Sequence, residues 1–241
     1  MRRFKPKVFF IGFNKNATVS FHWLFENSGY TSFHHVVSNK GNGYLKPLLY
    51  SRASWLFNNH KYIKFRPLTK ENVNLAKRIK ENFSDRLPIL TGIDQADCYS
   101  DLCYYRRDEE VIEAVDYFEQ FYEEYPNSYF VLQTRNINDW ILSRMCHRGK
   151  KESFPEVAMQ ALGLSEEEVI EYWRNLRQEH YKKVFDFFKD KPNFIVYDID
   201  TDNIDKLIDF VSKDFVLDKS YWQQHNSTST KRRQKIKKRL N

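Results

Sequence analysis

A lysine and two hydroxyl side chains follow the first apolar run of the chain. The run KVFFIGF (7–13) leads directly into Lys15, Thr18 and Ser20. When a strand turns through a short loop into a helix, backbone N–H groups and the positive helix end face one spot, where anions bind. Lys15 adds a full charge, the hydroxyls add donors, and Gly12 permits the turn away from the strand. The stretch therefore predicts a phosphate site, although a helix start that merely carries a lysine would show the same residues.

The loop differs from the common nucleotide-binding pattern GxxxxGK[ST]. In that pattern the hydroxyl after the lysine holds Mg²⁺, whereas here Asn16 follows Lys15. Asp198 and Asp200 remain candidates for a magnesium-binding aspartate. The loop thus favours a phosphate that is bound without the metal.

A second strand–loop–helix stretch repeats this arrangement near the middle of the chain. The buried run YFVLQT (129–134) ends at Arg135, and Ser143 follows eight residues later in the helical stretch INDWILSRMCHR. In a parallel sheet both loops open at the carboxyl edge, where ligands of such sheets bind. Two anion-binding loops at one edge predict a ligand with phosphates at two places.

These motifs resemble the sulfotransferase family, whose sulfuryl donor is 3′-phosphoadenosine 5′-phosphosulfate (PAPS). Residues 14–20, NKNATVS, are similar to the family pattern P-K-x-G-T-T-S/W, and TRNINDWILSR is similar to T-R-D-x-x-x-W-x-x-S. GYTSFHH (29–35) resembles a Gly-Tyr-x-x-x-His segment, and ADCYSDLCYY (96–105) resembles D-A-x-x-D-x-P-x-Y-Y. The resemblance runs in order from residue 7 to about residue 212. It implies a three-layer α/β/α fold with a central parallel sheet, of the P-loop-like sulfotransferase type.

The resemblance also implies a role for individual residues. It implies that the first loop binds the 5′-phosphosulfate of the donor through Gly12, Lys15, Asn16, Ala17, Thr18, Val19 and Ser20. Arg135 and Ser143 bind its 3′-phosphate, and Lys231 or Arg232 in the basic tail closes over that phosphate. Lys15 stabilises charge on the departing phosphate, which leaves as part of the product PAP. No metal is expected.

A general base must take the proton of the acceptor. The resemblance places Asp101 in the acceptor pocket, with Asp97 as a second carboxylate. Either aspartate could instead cap the following helix. His34 and His35, at the end of the second predicted strand, are alternative bases, whereas His22 is expected to be structural.

Three positions depart from the family pattern. Ala17 replaces its glycine, Val19 replaces its second threonine, and Cys103 stands where the related segment has proline. Alanine fits the loop if its φ is negative, but a positive φ would strain it. Val19 removes a hydroxyl donor. These departures would suit a relative that binds the donor without turnover, and a small-molecule kinase is a further alternative.

Composition and charge limit other functions. The 241 residues, 41% of them hydrophobic, suit a single domain of residues 1–230 followed by a basic tail. The net charge of +7 comes from that tail, residues 231–241, so no specific nucleic-acid surface is predicted. Three cysteines without a CxxC pair argue against a disulfide framework and a zinc site. No run approaches the ~18 apolar residues of a membrane span. A cytoplasmic protein with a small-molecule or carbohydrate acceptor is expected.

Apolar periodicity and capping residues predict the elements that position these side chains. A strand at 7–13, a helix from Thr18 or Ser20 to Gly29 and a strand at 30–36 follow one another, and this order predicts a parallel sheet. The other predicted elements are helices at 44–57, 69–83 (from Thr69 or Asn72), 108–125 and 137–148, strands at 87–92, 129–134 and 193–199, a helix at 166–189 opened by a Ser165–Glu168 capping box, and a last helix from Asp202.

Overall fold

The computed structural model describes residues 5–38, 72–107, 109–148, 152–223, 233, 234, 236 and 237. The predicted helix at 44–57 and the tail residues Lys231 and Arg232 lie outside the described residues. Within the described ranges, no helix combines the length and the apolar character that a membrane crossing needs.

The described ranges contain nine strands and seven α-helices. The strands are β1 (Val8–Phe10), β2 (Ser32–His34), β3 (Val36–Ser38), β4 (Asn72–Asn74), β5 (Cys98–Ser100), β6 (Cys103–Tyr104), β7 (Ile112–Glu113), β8 (Tyr129–Thr134) and β9 (Phe194–Asp198). The helices are α1 (Thr18–Asn27), α2 (Leu75–Ser84), α3 (Phe118–Glu124), α4 (Ile137–Cys146), α5 (Phe154–Leu162), α6 (Glu166–Phe188) and α7 (Asp205–Val211), with 3-10 turns at Ala114–Tyr117 and Lys219–Tyr221.

Five strands form a parallel sheet in the order β2-β5-β1-β8-β9. The central strands β1, β5 and β8 are buried throughout, as expected for strands covered on both faces. From β1 the chain continues to β2 on one side, whereas from β8 it continues to β9 on the other. The direction of winding therefore reverses between β1 and β8. In open α/β sheets, ligands bind at the carboxyl ends of the strands that flank such a reversal.

Helices cover both faces of this sheet. On one face Phe10 packs against Phe21 and Phe25 of α1, with the Phe10 and Phe21 ring centroids 4.4 Å apart, and Leu207 of α7 joins the same cluster. On the other face Phe9 and the rest of a larger core pack against α2 to α6. The three-layer α/β/α arrangement with a central parallel sheet confirms the predicted architecture.

Several elements lie where their sequence patterns predict them. Helix α1 begins at Thr18, and Gly29, with φ 89°, follows its end. The predicted capping box opens α6: Ser165 Oγ accepts from the Glu168 N–H, and the Glu168 carboxylate accepts from the Ser165 N–H. Strands β8 and β9 and helix α4 also match their predicted ranges closely.

The predicted strand at 87–92 is wrong, because these residues form turns. The Asn82 side chain donates to the carbonyl oxygens of Ile89 and Thr91, and Gly92 has φ 81°. A side chain that bonds to carbonyl oxygens in this way replaces the hydrogen bonds of a sheet.

The predicted helix at 108–125 begins later than expected. Residues Ile112–Glu113 pair with Cys103–Tyr104, and helical structure starts only at Ala114. Glu113 is not on a solvated face: its Oε1 lies 2.9 Å from Arg144 Nη2, and both side chains are almost fully buried. This ion pair holds Glu113 in a strand beneath the first loop. The acidic character of the segment had instead suggested an exposed helix.

Two helix starts are shifted, and six elements were not predicted. Helix α2 begins at Leu75 with Asn74 as its cap, because the chain from Asn72 pairs with β3. Helix α7 begins at Asp205, since the Asp202 carboxylate accepts from the Asp198 N–H instead of capping a helix. The short strands β3 to β7 and helix α5 are absent from the predicted elements.

Candidate functional site

The carboxyl edge of the sheet brings most of the predicted site residues into one region. His34 ends β2, Asp101 follows β5, Lys15 follows β1, and Arg135 follows β8. His34 Nε2 lies 3.4 Å from Asp101 Oδ2, and the charge of Lys15 acts on both of these side chains. Parallel strands place their carboxyl ends on one side, and the predicted edge site depends on this property.

The backbone of the first loop alternates between left-handed and ordinary conformations. Lys15 has φ 68° and Ala17 has φ 57°, whereas the residue between them has no positive φ. Alternation of this kind turns successive N–H groups toward one concave spot, a known anion-binding arrangement. Ala17 occupies the N-cap of α1 and offers no side-chain cap. In the described part of the chain, no acceptor takes the N–H groups of Ala17, Thr18 or Val19.

Gly12 has a different role from the predicted one. Its φ is not positive; instead, a Cβ at this position would lie 2.2 Å from the Gln133 carbonyl oxygen of β8. The Gln133 side chain accepts from the Gly12 N–H and donates to the Gly12 carbonyl, both at 2.8 Å. Trp140 Nε1 of α4 also donates to the Asn14 carbonyl at 2.9 Å. Gly12 is thus required for close approach, and the two loops are tied together.

The Lys15 side chain contacts a residue that sequence reasoning missed. Lys15 Nζ lies 2.7 Å from His147 Nδ1, at the end of α4. Burial lowers the pKa of Lys15, although Asp101 and Cys103 act in the opposite direction. His147 lies four residues after Ser143, hence close to the same helix face, and this spacing was the available signal.

The remaining side chains of the loop divide into two groups. Asn16 is fully buried and its side chain donates to the Phe13 carbonyl, so it shapes the loop instead of facing a ligand. Thr18 Oγ1 lies 3.2 Å from His34 Nε2, which connects the loop to the neighbouring strand end. Ser20 is buried in the first turn of α1, and Val19 is partly buried.

The second loop satisfies its own helix start. Asn136 Oδ1 accepts from the N–H groups of Asn138 and Asp139, at 2.9 and 3.4 Å. Arg135 Nη2 donates to Asp200 Oδ1 at 3.0 Å, while the buried Arg135 Nε has no partner among the described residues. Ser143, partly buried, lies two helical turns beyond the cap. A guanidinium and a hydroxyl are therefore the groups that could contact an anion at the second loop. Asp200 is already paired with the Arg135 guanidinium.

Asp101 and His34 form a coupled pair beside the first loop. Asp101 has φ 55°, and its Oδ1 accepts from the Cys103 thiol at 3.2 Å. Burial alone would raise the pKa of Asp101, but His34, His35, the thiol and Lys15 hold it below its ordinary value. Burial lowers the pKa of His34, which the Asp101 carboxylate only partly offsets. Asp101 is therefore ionised, and His34 is an uncharged imidazole, at neutral pH.

Two other candidate bases lie away from this pair. Asp97 precedes β5 at the amino edge of the sheet, where its carboxylate accepts from Lys5 Nζ at 2.7 Å and from the Thr31 N–H at 3.0 Å. The structure does not bring it to the site. His22 Nδ1 lies 3.0 Å from Ser32 Oγ inside the fold, and burial, followed by the charge of His34, lowers its pKa to about 4. His22 fits the structural role predicted for it.

Comparison with protein-family models and with curated proteins finds no match to this chain. Function is therefore inferred from the chemistry of the site. That site combines a backbone anion receptor with one lysine, a second basic loop on the adjacent strand, and a histidine–aspartate pair next to the receptor.

Proposed function

We propose that this protein is a sulfotransferase that moves a sulfuryl group from PAPS to a hydroxyl or amine and leaves PAP. The observation that carries the proposal is the pair of anion-binding loops after β1 and β8, at the point where the sheet reverses its winding. A donor that carries phosphate at both its 5′ and 3′ positions matches two loops, whereas a single phosphate would need only one.

The residues present fit such a donor. The N–H groups of Ala17, Thr18 and Val19, which have no acceptor among the described residues, would hold the 5′ end together with Lys15 Nζ. Arg135 and Ser143 would hold the 3′-phosphate, for which Arg135 must share its guanidinium with Asp200. When bound, the donor supplies an activated sulfuryl group on a stable phosphate leaving group. Positioning and charge stabilisation are what these residues contribute.

His34 is the base that the geometry favours, with Asp101 behind it. His34 Nε2 contacts Thr18 Oγ1 in the proposed donor loop, whereas Asp101 is connected to that loop through the side chains of His34 and Cys103. A carboxylate that contacts an imidazole fixes its orientation and stabilises its protonated form. The Asp101 carboxylate can only accept, so a neutral His34 carries its proton on Nε2, the nitrogen that faces Asp101, and Nδ1 is the atom that would take the acceptor proton. Asp101, the base that the sequence predicted, is then assigned to positioning.

Kinase chemistry fits the first loop less well. Counted from Gly12 in the pattern GxxxxGK[ST], the place of the lysine falls on Thr18 and the place of the magnesium hydroxyl falls on Val19. A valine offers no oxygen to Mg²⁺. Asp200, left open as a magnesium ligand, is bound to Arg135 and to the Asn136 N–H.

Binding without turnover is a second candidate, favoured by the backbone of Ala17. Its positive φ strains the loop, since an alanine in the left-handed region costs about 1–2 kcal/mol. A protein selected only to hold the ligand would tolerate a strained, imperfect loop more easily than an efficient enzyme.

Ligand binding tests the proposed function directly. PAP at ~100 times its dissociation constant should raise the free energy of unfolding by about 2.7 kcal/mol, measured by thermal melting after treatment with a chelator. Calorimetry should then show weaker binding of 5′-AMP, which lacks the 3′-phosphate, and of ATP with or without Mg²⁺. A melting curve unmoved by millimolar PAP would overturn the assignment. Screening acceptor classes with labelled PAPS would then separate a transferase from a binding protein.

A further inference from the structure

Three side chains with metal-binding atoms converge beside the first loop. They come from separate segments: His35 follows β2, Asp101 follows β5, and Cys103 begins β6. One ligand atom of each, a ring nitrogen, a carboxylate oxygen and a thiol sulfur, lie within 4.8 Å of one another.

The cluster is not satisfied by its own hydrogen bonds. His35 Nδ1 is buried, and no described residue pairs with it, although an unpaired buried polar atom costs about 1–3 kcal/mol. The Cys103 thiol donates to Asp101 Oδ1 at 3.2 Å, a weak bond that a cation could replace. The unmet nitrogen and the loosely held thiol point to an additional group between them.

One donor is in place for a bound thiolate, although burial, followed by the Asp101 and Glu113 carboxylates, raises the pKa of the free Cys103 thiol, so deprotonation would depend on the cation. Asn14 Nδ2 donates to Cys103 Sγ at 3.2 Å, and an N–H donor of this kind stabilises sulfur when it carries charge. Asp101 uses its other oxygen, Oδ2, toward His34 Nε2, so Oδ1 is the oxygen available to the cluster. Hydrogen-bonded partners behind metal ligands orient those ligands and tune their affinity.

We propose that His35, Asp101 and Cys103 bind one thiophilic divalent cation of the zinc type. Imidazole, carboxylate and thiolate are all ligands of zinc, at roughly 2.0–2.3 Å, and three protein ligands leave a fourth position open. Tetrahedral ligand atoms are then roughly 3.3–3.8 Å apart. Asp101 and Cys103, at 3.2 Å, are already at this spacing, while the 4.8 Å limit leaves His35 a small movement.

Charge balance is compatible with a dication. The Asp101 carboxylate and a Cys103 thiolate together neutralise two positive charges. Asn14, in the first loop, contacts Cys103 Sγ, so the cation site borders the proposed phosphate loop. The cation site does not depend on sulfuryl transfer. It is an alternative to the expected absence of a zinc site, which was inferred from cysteine spacing.

Cobalt(II) is the probe for this site, because its absorption spectrum reports both geometry and sulfur ligation. Titration of the chelator-treated full chain with Co²⁺ should saturate at one equivalent, with d–d bands of a tetrahedral ion and a thiolate-to-cobalt charge-transfer band. Zn²⁺ should abolish these bands by displacement.

Matched variants locate the ligands. Cys103→Ser should remove the charge-transfer band and weaken Co²⁺ binding at least about tenfold, whereas Cys98→Ser, the same change at another buried cysteine, should retain the band. His35→Asn gives a second route if Cys103→Ser does not fold, since asparagine tolerates the positive φ of residue 35; it too should weaken binding. Failure of the folded natural chain to bind Co²⁺ stoichiometrically, or an unchanged band in Cys103→Ser, would overturn the proposal. PAP binding is measured without metal, so the two proposals fail independently.

Discussion

The loops after β1 and β8 share an architecture but treat their helix starts differently. In the loop after β1, α1 begins with no side-chain cap, and within the described ranges its first N–H groups have no acceptor. In the loop after β8, Asn136 accepts from two N–H groups of α4. The first loop can therefore bind an anion through its backbone. The second must rely on the side chains of Arg135 and Ser143.

Backbone strain follows the same division. Lys15 and Ala17 both have positive φ, whereas Arg135 and Asn136 do not. Each such residue costs about 1–2 kcal/mol relative to an ordinary conformation. The unfavourable geometry therefore lies in the loop whose N–H groups have no acceptor in the described part of the chain, and backbone strain of this kind is common at ligand-binding sites.

The largest expected difference between the loops is in turnover. Lys15→Ala should lower kcat about 10²–10³-fold, because charge on the leaving phosphate loses its nearest cation, a loss similar in size to that of one oxyanion donor. The measurement is steady-state transfer from PAPS, with Lys77→Ala, an exposed lysine elsewhere, as the control. A loss confined to KM would contradict the role given to Lys15.

Arg135→Ala should act chiefly on affinity. Loss of a charged hydrogen bond should weaken PAP binding by about 1.5–3 kcal/mol, roughly ten- to a hundredfold, measured by calorimetry. Arg78→Ala, which removes a partly exposed arginine from α2, should leave PAP binding unchanged. If Arg135→Ala reduced kcat as strongly as Lys15→Ala, the loops would not have separate roles.

Ala17→Gly should relieve strain in the first loop. Glycine adopts positive φ without a steric penalty, so the free energy of unfolding should rise by about 1 kcal/mol, or about 2–4 °C in Tm for a chain of this size. Ala161→Gly, in the last turn of α5, should instead lower stability, because the residue lies in an ordinary helix. Destabilisation by Ala17→Gly would show that residue 17 is not strained.

Asn136→Ala should have the smallest effect on the ligand. Removal of the cap should cost about 1 kcal/mol of stability, as should Asn74→Ala at the cap of α2. PAP affinity should stay nearly constant in both variants, because the N–H groups of α4 are not used for binding. A tenfold change in PAP affinity for Asn136→Ala alone would mean that both loops bind phosphate through their backbone.

The sequence identifies the parts of the fold that local patterns specify. Continuous apolar runs predict β1, β8 and β9, and the Ser165–Glu168 capping box marks the start of α6, because each depends on neighbouring residues. Strand β5 is missed, since Cys98–Ser100 is three residues long and is recognisable only between β2 and β1. The extended conformation of Glu113 depends on Arg144, thirty-one positions away.

The candidate site is predicted to a similar extent. Lys15, Thr18 and Arg135 are predicted because each belongs to a motif that lies within a single loop, and the parallel sheet places these loops at one edge. The neighbours His35 and Cys103 belong to different segments, so cysteine spacing did not reveal their proximity. The positive φ of Ala17 likewise cannot be predicted from its residue type, because the loop and the helix on either side impose this backbone conformation.

Gln133 has a consequence for the rate of ligand binding. Its amide pairs with both backbone groups of Gly12, so the start of the first loop is fastened to β8 before any ligand arrives. A ligand that meets a preformed cradle needs no slow rearrangement after encounter. Association should accordingly be a single kinetic phase whose observed rate rises linearly with concentration, and differences in affinity among ligands should arise mainly from how fast each one leaves.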